Sequence, residues 1–210
     1  MALRPPSRFR PHCHRRERGA SAVEFAIILP VLMLLLMGIL EFGLLMKNLS
    51  IVTNGASAGA RAGSVEARQT TYAEAAQRSV EAILKNNGIW ADWIVIYKAN
   101  KTTGEPWNAS GTWTAGDKEF ENCTANCIKY QVNSGKTAYN VVGTSGVPNP
   151  NWLSTSQAAC GPEASTDYIG VYVKYTHRYV TKMFGETRTV RERAVYRLEP
   201  IPPSAGQACQ

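Results

Sequence analysis

From Phe25 to Met46 the chain reads FAIILPVLMLLLMGILEFGLLM, with Glu41 its single charge. About 22 residues at about 1.5 Å each span about 33 Å, enough to cross a bilayer. Lys47 and Asn48 end the run. Pro30 removes a backbone donor in the early turns and predicts a mild bend, which membrane helices tolerate when a neighbour or water satisfies the freed carbonyl. Next comes GASAGARAG, residues 55–63, in which Gly55, Gly59 and Gly63 recur every fourth position, as do Ala56 and Ala60. As a helix this is a smooth strip where a second backbone comes close, either in the outer domain or in a second subunit. The rival is a flexible linker, because each glycine weakens a helix by up to about 1 kcal/mol; the regular spacing favours the helix. Arg61 is expected to be solvated.

The pattern then changes. TYAEAAQRSVEAILKNNG, residues 71–88, places Tyr72, Ala76, Val80, Ile83 and Leu84 on one helical face. Thr71 with Glu74 fits a capping box, and Asn87-Gly88 a stop. WIVIYKA, residues 93–99, predicts a strand. Residues 168–180 alternate, with Ile169, Val171, Val173 and Tyr175 on one face and Tyr172 and Lys174 on the other. Residues 187–200 alternate again and stop at Pro200, so a turn at Gly185 makes these two a hairpin. With 93–99 they form an antiparallel sheet of three or more strands, on which the helix packs. Between them, about 100–166 is rich in Gly, Asn, Ser and Thr and reads as an insertion with short irregular strands, such as IKYQV at 128–132. Its Trp107, Trp113 and Trp152 are either buried anchors of a loop-rich lobe or exposed contacts for a partner. The fold class expected is α+β: a leader over 1–19, a membrane helix with its small-residue extension over 20–66, an outer domain over 67–200, and a tail over 201–210.

Charge sharpens this picture. The chain has 23 Lys+Arg against 16 Asp+Glu, but six of the arginines and only one glutamate fall in residues 1–19. The remainder is nearly balanced, so the excess is not a nucleic-acid-binding surface. Basic residues stacked before an apolar run predict a single-pass protein of the cytoplasmic membrane, with its amino end in the cytoplasm and its carboxyl domain outside. Arg188, Arg191, Arg193 and Arg197 on the final strand are a solvated basic face or a docking face for a partner.

Two cleavages are conceivable. The triplets ASA, AGA and ARA at 56–62 resemble signal-peptidase sites, but the apolar run exceeds an ordinary signal core of about 7–15 residues and the triplets lie beyond a polar stretch. Cleavage after Gly19 instead would make Ala20 the new terminus, with Glu24 fifth and Phe25 sixth. A carboxylate in a membrane helix costs about 2.5–3.5 kcal/mol at mid-bilayer and less near the edge. An ammonium at Ala20, four residues back on the same face, would offset it, as would that of a neighbouring subunit. The plainer reading makes Glu24 an interfacial residue of an uncleaved anchor. Glu41 lies 16 uncharged residues beyond Glu24, and it either sits at the outer headgroups or contacts a partner helix.

The arrangement from Gly19 to Phe25, with Leu29-Pro30, Glu41-Phe42-Gly43 and the stretch at 56–63, resembles the TadE-like family (TadE/TadG) of minor pseudopilins of the tight-adherence (Tad/Flp) pilus. The resemblance implies processing by a prepilin peptidase after Gly19, and partnership with other Tad pilins, pseudopilins and the membrane assembly platform. It also implies a structural role in a pilus used for adherence or DNA uptake. The alternative is an uncleaved, membrane-anchored binding or adhesin domain.

Four cysteines, Cys123, Cys127, Cys160 and Cys209, lie beyond the apolar run, where thiols tend to oxidise, so the insertion is expected to be disulfide-stapled. Three pairings are open. No metal or cofactor is expected: Cys123 and Cys127 lack a second pair and a nearby His, and Asp117, Glu119, Glu121 and Asp167 follow no recognised cation-site spacing. His12, His14 and Cys13 belong to the leader, and His177 stands alone in a strand. No nucleophile elbow, zinc-protease motif, P-loop or dinucleotide fingerprint occurs, so a non-enzymatic role is expected.

Overall fold

The apolar run and the small-residue stretch belong to one helix, α1, Glu17–Val65. A computed structural model describes residues 17–106, 120, 126–142, 152–159 and 166–200. The chain divides into two compact units, Met1–Gly43 and Leu44–Gln210, and the boundary falls inside α1. The helix persists through Pro30, which leaves the Ala26 carbonyl without its usual amide donor. It also persists through Gly55, Gly59 and Gly63, so the small-residue stretch is helix and not linker.

In the second unit, α1 packs beside α2, Tyr72–Asn86, which buries Tyr72, Ala73, Ala76, Gln77, Val80 and Leu84. Ile83, expected on that face, is half-buried. Gly88 adopts φ +70°, and the amides of Gly88 and Ile89 donate to the carbonyls of Lys85 and Leu84, closing the helix as Asn87-Gly88 predicted. The capping box does not form. Thr71 has helical φ/ψ and makes no side-chain cap bond. Its hydroxyl donates to Glu66 at 2.8 Å, while Glu74 pairs with Arg78 at 3.0 Å. The chain enters α2 from a turn that is already helical, so the geometry a box requires is absent.

Five antiparallel strands follow: β1 (Trp93–Ala99), β2 (Cys127–Val132), β3 (Tyr139–Val142), β4 (Tyr168–Arg178) and β5 (Thr187–Arg197). Their order across the sheet is β3-β2-β1-β4-β5. The predicted β4–β5 hairpin is present, with Gly185 at φ +104° in its turn. The region read as an irregular insertion contributes more than expected. Residues 127–142 form a regular hairpin whose first strand pairs directly with β1, from Trp93 opposite Gln131 to Tyr97 opposite Cys127. Its turn is built by Asn133, whose side-chain oxygen accepts from the Thr137 amide at 2.8 Å. Polar composition hid this hairpin because its strands are short and only half-buried.

β1 is central and buried on both faces. Ile94 and Ile96, with Ile128, Tyr130, Ile169, Val171 and Val173, pack with α2 and the second half of α1. Each such side chain contributes about 1.5–3 kcal/mol by leaving water. Val95, Tyr97, Ala99 and Tyr172 form a smaller cluster with Phe120, whose ring stacks on Tyr172 at 4.3 Å. Gly170 lies beneath the Tyr97 ring, where any Cβ would collide, and its bareness lets the Tyr97 hydroxyl reach the Gly104 carbonyl at 2.9 Å.

Trp152 is a buried anchor: its ring meets Tyr72 edge-on at 5.5 Å. Asp167 fastens it. One carboxylate oxygen accepts from the Trp152 indole and the Ala158 amide, both at 3.1 Å, and the other pairs with Lys98 at 2.8 Å. Asp167 is thus a structural hub. Trp107, Trp113, Asp117, Glu119, Glu121, His12, His14, Cys13 and the tail lie outside the described residues.

Candidate assembly helix

Between Ala20 and Gly43 nearly every side chain is exposed, including Val23, Phe25, Ile27, Leu34 and Phe42. A surface of this kind is stable in water only when something covers it; hydrocarbon does so for every face at once. By length and composition α1 can cross a membrane.

Gly19 and Ala20 are helical, and apart from the chain neighbours and the helix's own backbone nothing lies within 4 Å of where a Gly19 Cβ would stand. The peptide bond between them is helical. Glu24 and Phe25 follow, both exposed. Glu24 lies one turn beyond Ala20 on the same face, about 6 Å along the axis. Glu41 departs from its surroundings: it is 1% exposed, whereas Leu40 and Phe42 beside it are 62% and 60% exposed.

The second half of α1 is one-sided. Ile51, Val52, Ala56 and Ala60 are buried, while Thr53, Asn54 and the predicted solvated Arg61 are exposed. The glycines lie on the buried side. A Cβ on Gly55 would stand 2.5 Å from Leu84 of α2, one on Gly59 would run into Val80, and one on Gly63 would stand 2.5 Å from Ile169 of β4. The strip that could have served a second subunit therefore brings α1 against α2 and the sheet of its own chain.

Sequence reasoning missed the polar seam at the start of this packed half. Asn48, read only as the end of the apolar run, places its amide nitrogen 2.9 Å from His177 Nδ1 and 3.5 Å from the Tyr175 hydroxyl. His177 is buried there, its ring edge-on to Tyr179 at 5.1 Å. A single Asn between Lys47 and Leu49 was the available signal, and nothing local identified its partner. Cys127 is disulfide-bonded; Cys123, Cys160 and Cys209 lie outside the described residues. Arg188, Arg191, Arg193 and Arg197 are exposed along β5, an edge strand, where charge also discourages pairing with another sheet.

The family model for TadE-like protein matches residues 19–61, from Gly19 to Arg61, wholly within α1. The chain carries a TadE-like domain. The match spans the exposed half of the helix and most of the packed half, and so joins the Gly19–Phe25 motif to the glycines at 55 and 59. No curated protein and no solved structure matches the chain. The matched segment lies in the helix that is long and apolar enough to cross a membrane, and its likeness is to a component of the Tad pilus system.

Proposed function

We propose that this chain is a TadE-like minor pseudopilin, a structural component of Tad/Flp pilus assembly, processed by a prepilin peptidase after Gly19. The observation that carries this reading is the family match that opens on Gly19, five residues before the carboxylate of Glu24 in an exposed apolar helix. The protein is held in the cytoplasmic membrane by residues 20–46, with its sheet domain outside.

The chemistry belongs to the peptidase; this chain supplies the substrate. A bare Gly19 leaves no side chain to obstruct the bond. Hydrolysis converts an uncharged amide at Ala20 into an ammonium. That cation stands one turn from Glu24, where acidic charge also suits the helix dipole. Within one subunit the pair lowers the penalty for a carboxylate in lipid. Between subunits the same attraction sets the axial stagger of packed helices, and other Tad pilins, pseudopilins and the assembly platform are the partners.

The role is structural. His177, the lone histidine beyond the leader, is buried against Asn48, which supports a packing role. A His177→Asn variant that folds normally is expected to assemble; its failure to do so would favour an active-site role. The second reading, an uncleaved anchored binding domain, draws on the helical state of the Gly19–Ala20 bond.

A Glu24→Gln substitution tests the pairing. Processing is expected to persist while co-purification with partner pilins and surface piliation are largely lost. Ordinary piliation from this variant would remove the pairing role.

A further inference from the structure

Outside α1, the exposed large apolar side chains among the described residues are Val141, Leu153, Val180, Met183, Phe184 and Tyr196. Three of them fall within five residues, in the turn between β4 and β5. Val180 is 75% exposed, Met183 45% and Phe184 61%. The turn is ordered: the Tyr179 amide donates to the Glu186 carbonyl at 3.1 Å, and the Gly185 amide to Lys182 at 3.2 Å. Tyr179 bridges inward, its ring 6.3 Å from Phe184 and 5.1 Å from His177. Nothing in the domain's own packing calls for these apolar groups.

Their position is fixed by the register of β4 on the second half of α1. Ile169 lies at Gly63, Val171 at Gly59, and His177 at Asn48. β4 thus runs against the helix, and its far end extends past Asn48 on the side where α1 enters the domain. At about 3.3 Å per strand residue, Val180 lies about 10 Å beyond His177. The apolar run of α1 ends at Met46, two residues before Asn48. The hairpin tip therefore reaches the level of Leu44–Met46, the end of the apolar run that belongs to the same unit.

The geometry points to a second membrane contact: the tip of the β4–β5 hairpin inserts Val180, Met183 and Phe184 into the outer interface of the bilayer that α1 crosses. This rests on α1 being membrane-anchored, as proposed above. The occupant is lipid because the tip lies toward Leu44–Met46, the end of the apolar run that belongs to the same unit and exposes Leu44 and Met46, and because the flanking groups suit headgroups. Arg178 and Lys182 are exposed beside the apolar residues, Lys182 within 3.3 Å of Glu186, and Tyr179 has the amphipathic ring favoured at interfaces.

The test uses the full chain in vesicles of equal parts phosphatidylcholine and phosphatidylglycerol. Photoreactive benzoylphenylalanine replaces Phe184, or Ile39 within the apolar run, or Leu153 as an exposed apolar site elsewhere. Lipid adducts are expected from positions 184 and 39, each several-fold above position 153. Labelling of lipid from 39, with 184 no better than 153, would overturn the hairpin contact and leave the anchor standing. Labelling from neither 39 nor 184 would overturn both. Adducts from 184 to a second protein chain in place of lipid would show that the tip docks on protein, again against the inference.

Discussion

Along a single helix, residues 20–43 and 44–65 answer to different surroundings. The first stretch carries Leu, Ile, Met and Phe around its whole circumference and exposes them; the second carries Gly, Ala and Ser, and buries one side. Bulk without periodicity suits a medium that is equally apolar in every direction. Small residues at intervals of four suit close approach to particular neighbours, here Val80, Leu84 and Ile169. The lesson is that helix propensity alone would make these halves look alike, while side-chain size and spacing separate an anchor from a core element.

Alkali should separate the halves most widely. Burial raises the hydroxyls of Tyr72, Tyr97 and Tyr139 well above their ordinary value, and that of Tyr130 to about 12. A folded pKa above the unfolded one contributes stability that is complete below the unfolded value, near pH 10, and lost as pH rises through the folded value. Within that window each pH unit removes about 1.4 kcal/mol per tyrosine. The outer domain is therefore expected to lose its near-ultraviolet circular dichroism between about pH 10 and 12. Residues 20–43 contain no tyrosine and should remain helical. A domain that keeps its signal to the top of this range would show that the tyrosines are not buried as described.

Core truncation comes next. Leu84→Ala removes the side chain that faces Gly55 and should destabilise the outer domain by about 2–5 kcal/mol in urea. Leu34→Ala, on the exposed half, should leave that transition within about 0.5 kcal/mol. Equal effects would erase the distinction. Charge offers the reverse contrast. Leu35→Arg should disfavour insertion by about 2.5–3.5 kcal/mol, read as loss of carbonate-resistant membrane association, whereas Thr53→Arg should not alter anchoring. The smallest effect is steric: Gly59→Ala should cost the domain about 1–3 kcal/mol through contact with Val80. Gly43→Ala, with open space around it, should be near neutral.

Local pattern made the helices, β1 and the β4–β5 hairpin legible, because each carries its own periodicity. The β2–β3 hairpin was missed as regular structure because its stability comes from pairing with β1, which no short stretch of 127–142 discloses. The failed capping box had the right residue types, but a helical turn ahead of Thr71 denied them the geometry. The glycine strip was recognised, and only the fold could say which backbone it meets. Asn48 with His177, and Asp167 with Lys98 and Trp152, join residues far apart in the chain, so topology alone reveals them.

The central claim is that the exposed half of α1 begins its working life at Ala20. Intact mass of the protein extracted from membranes of cells assembling Tad pili tests it directly. A chain that starts at Ala20, lacking the arginine-rich leader, is the predicted result. A chain that retains residues 1–19 in cells bearing normal pili would contradict the account.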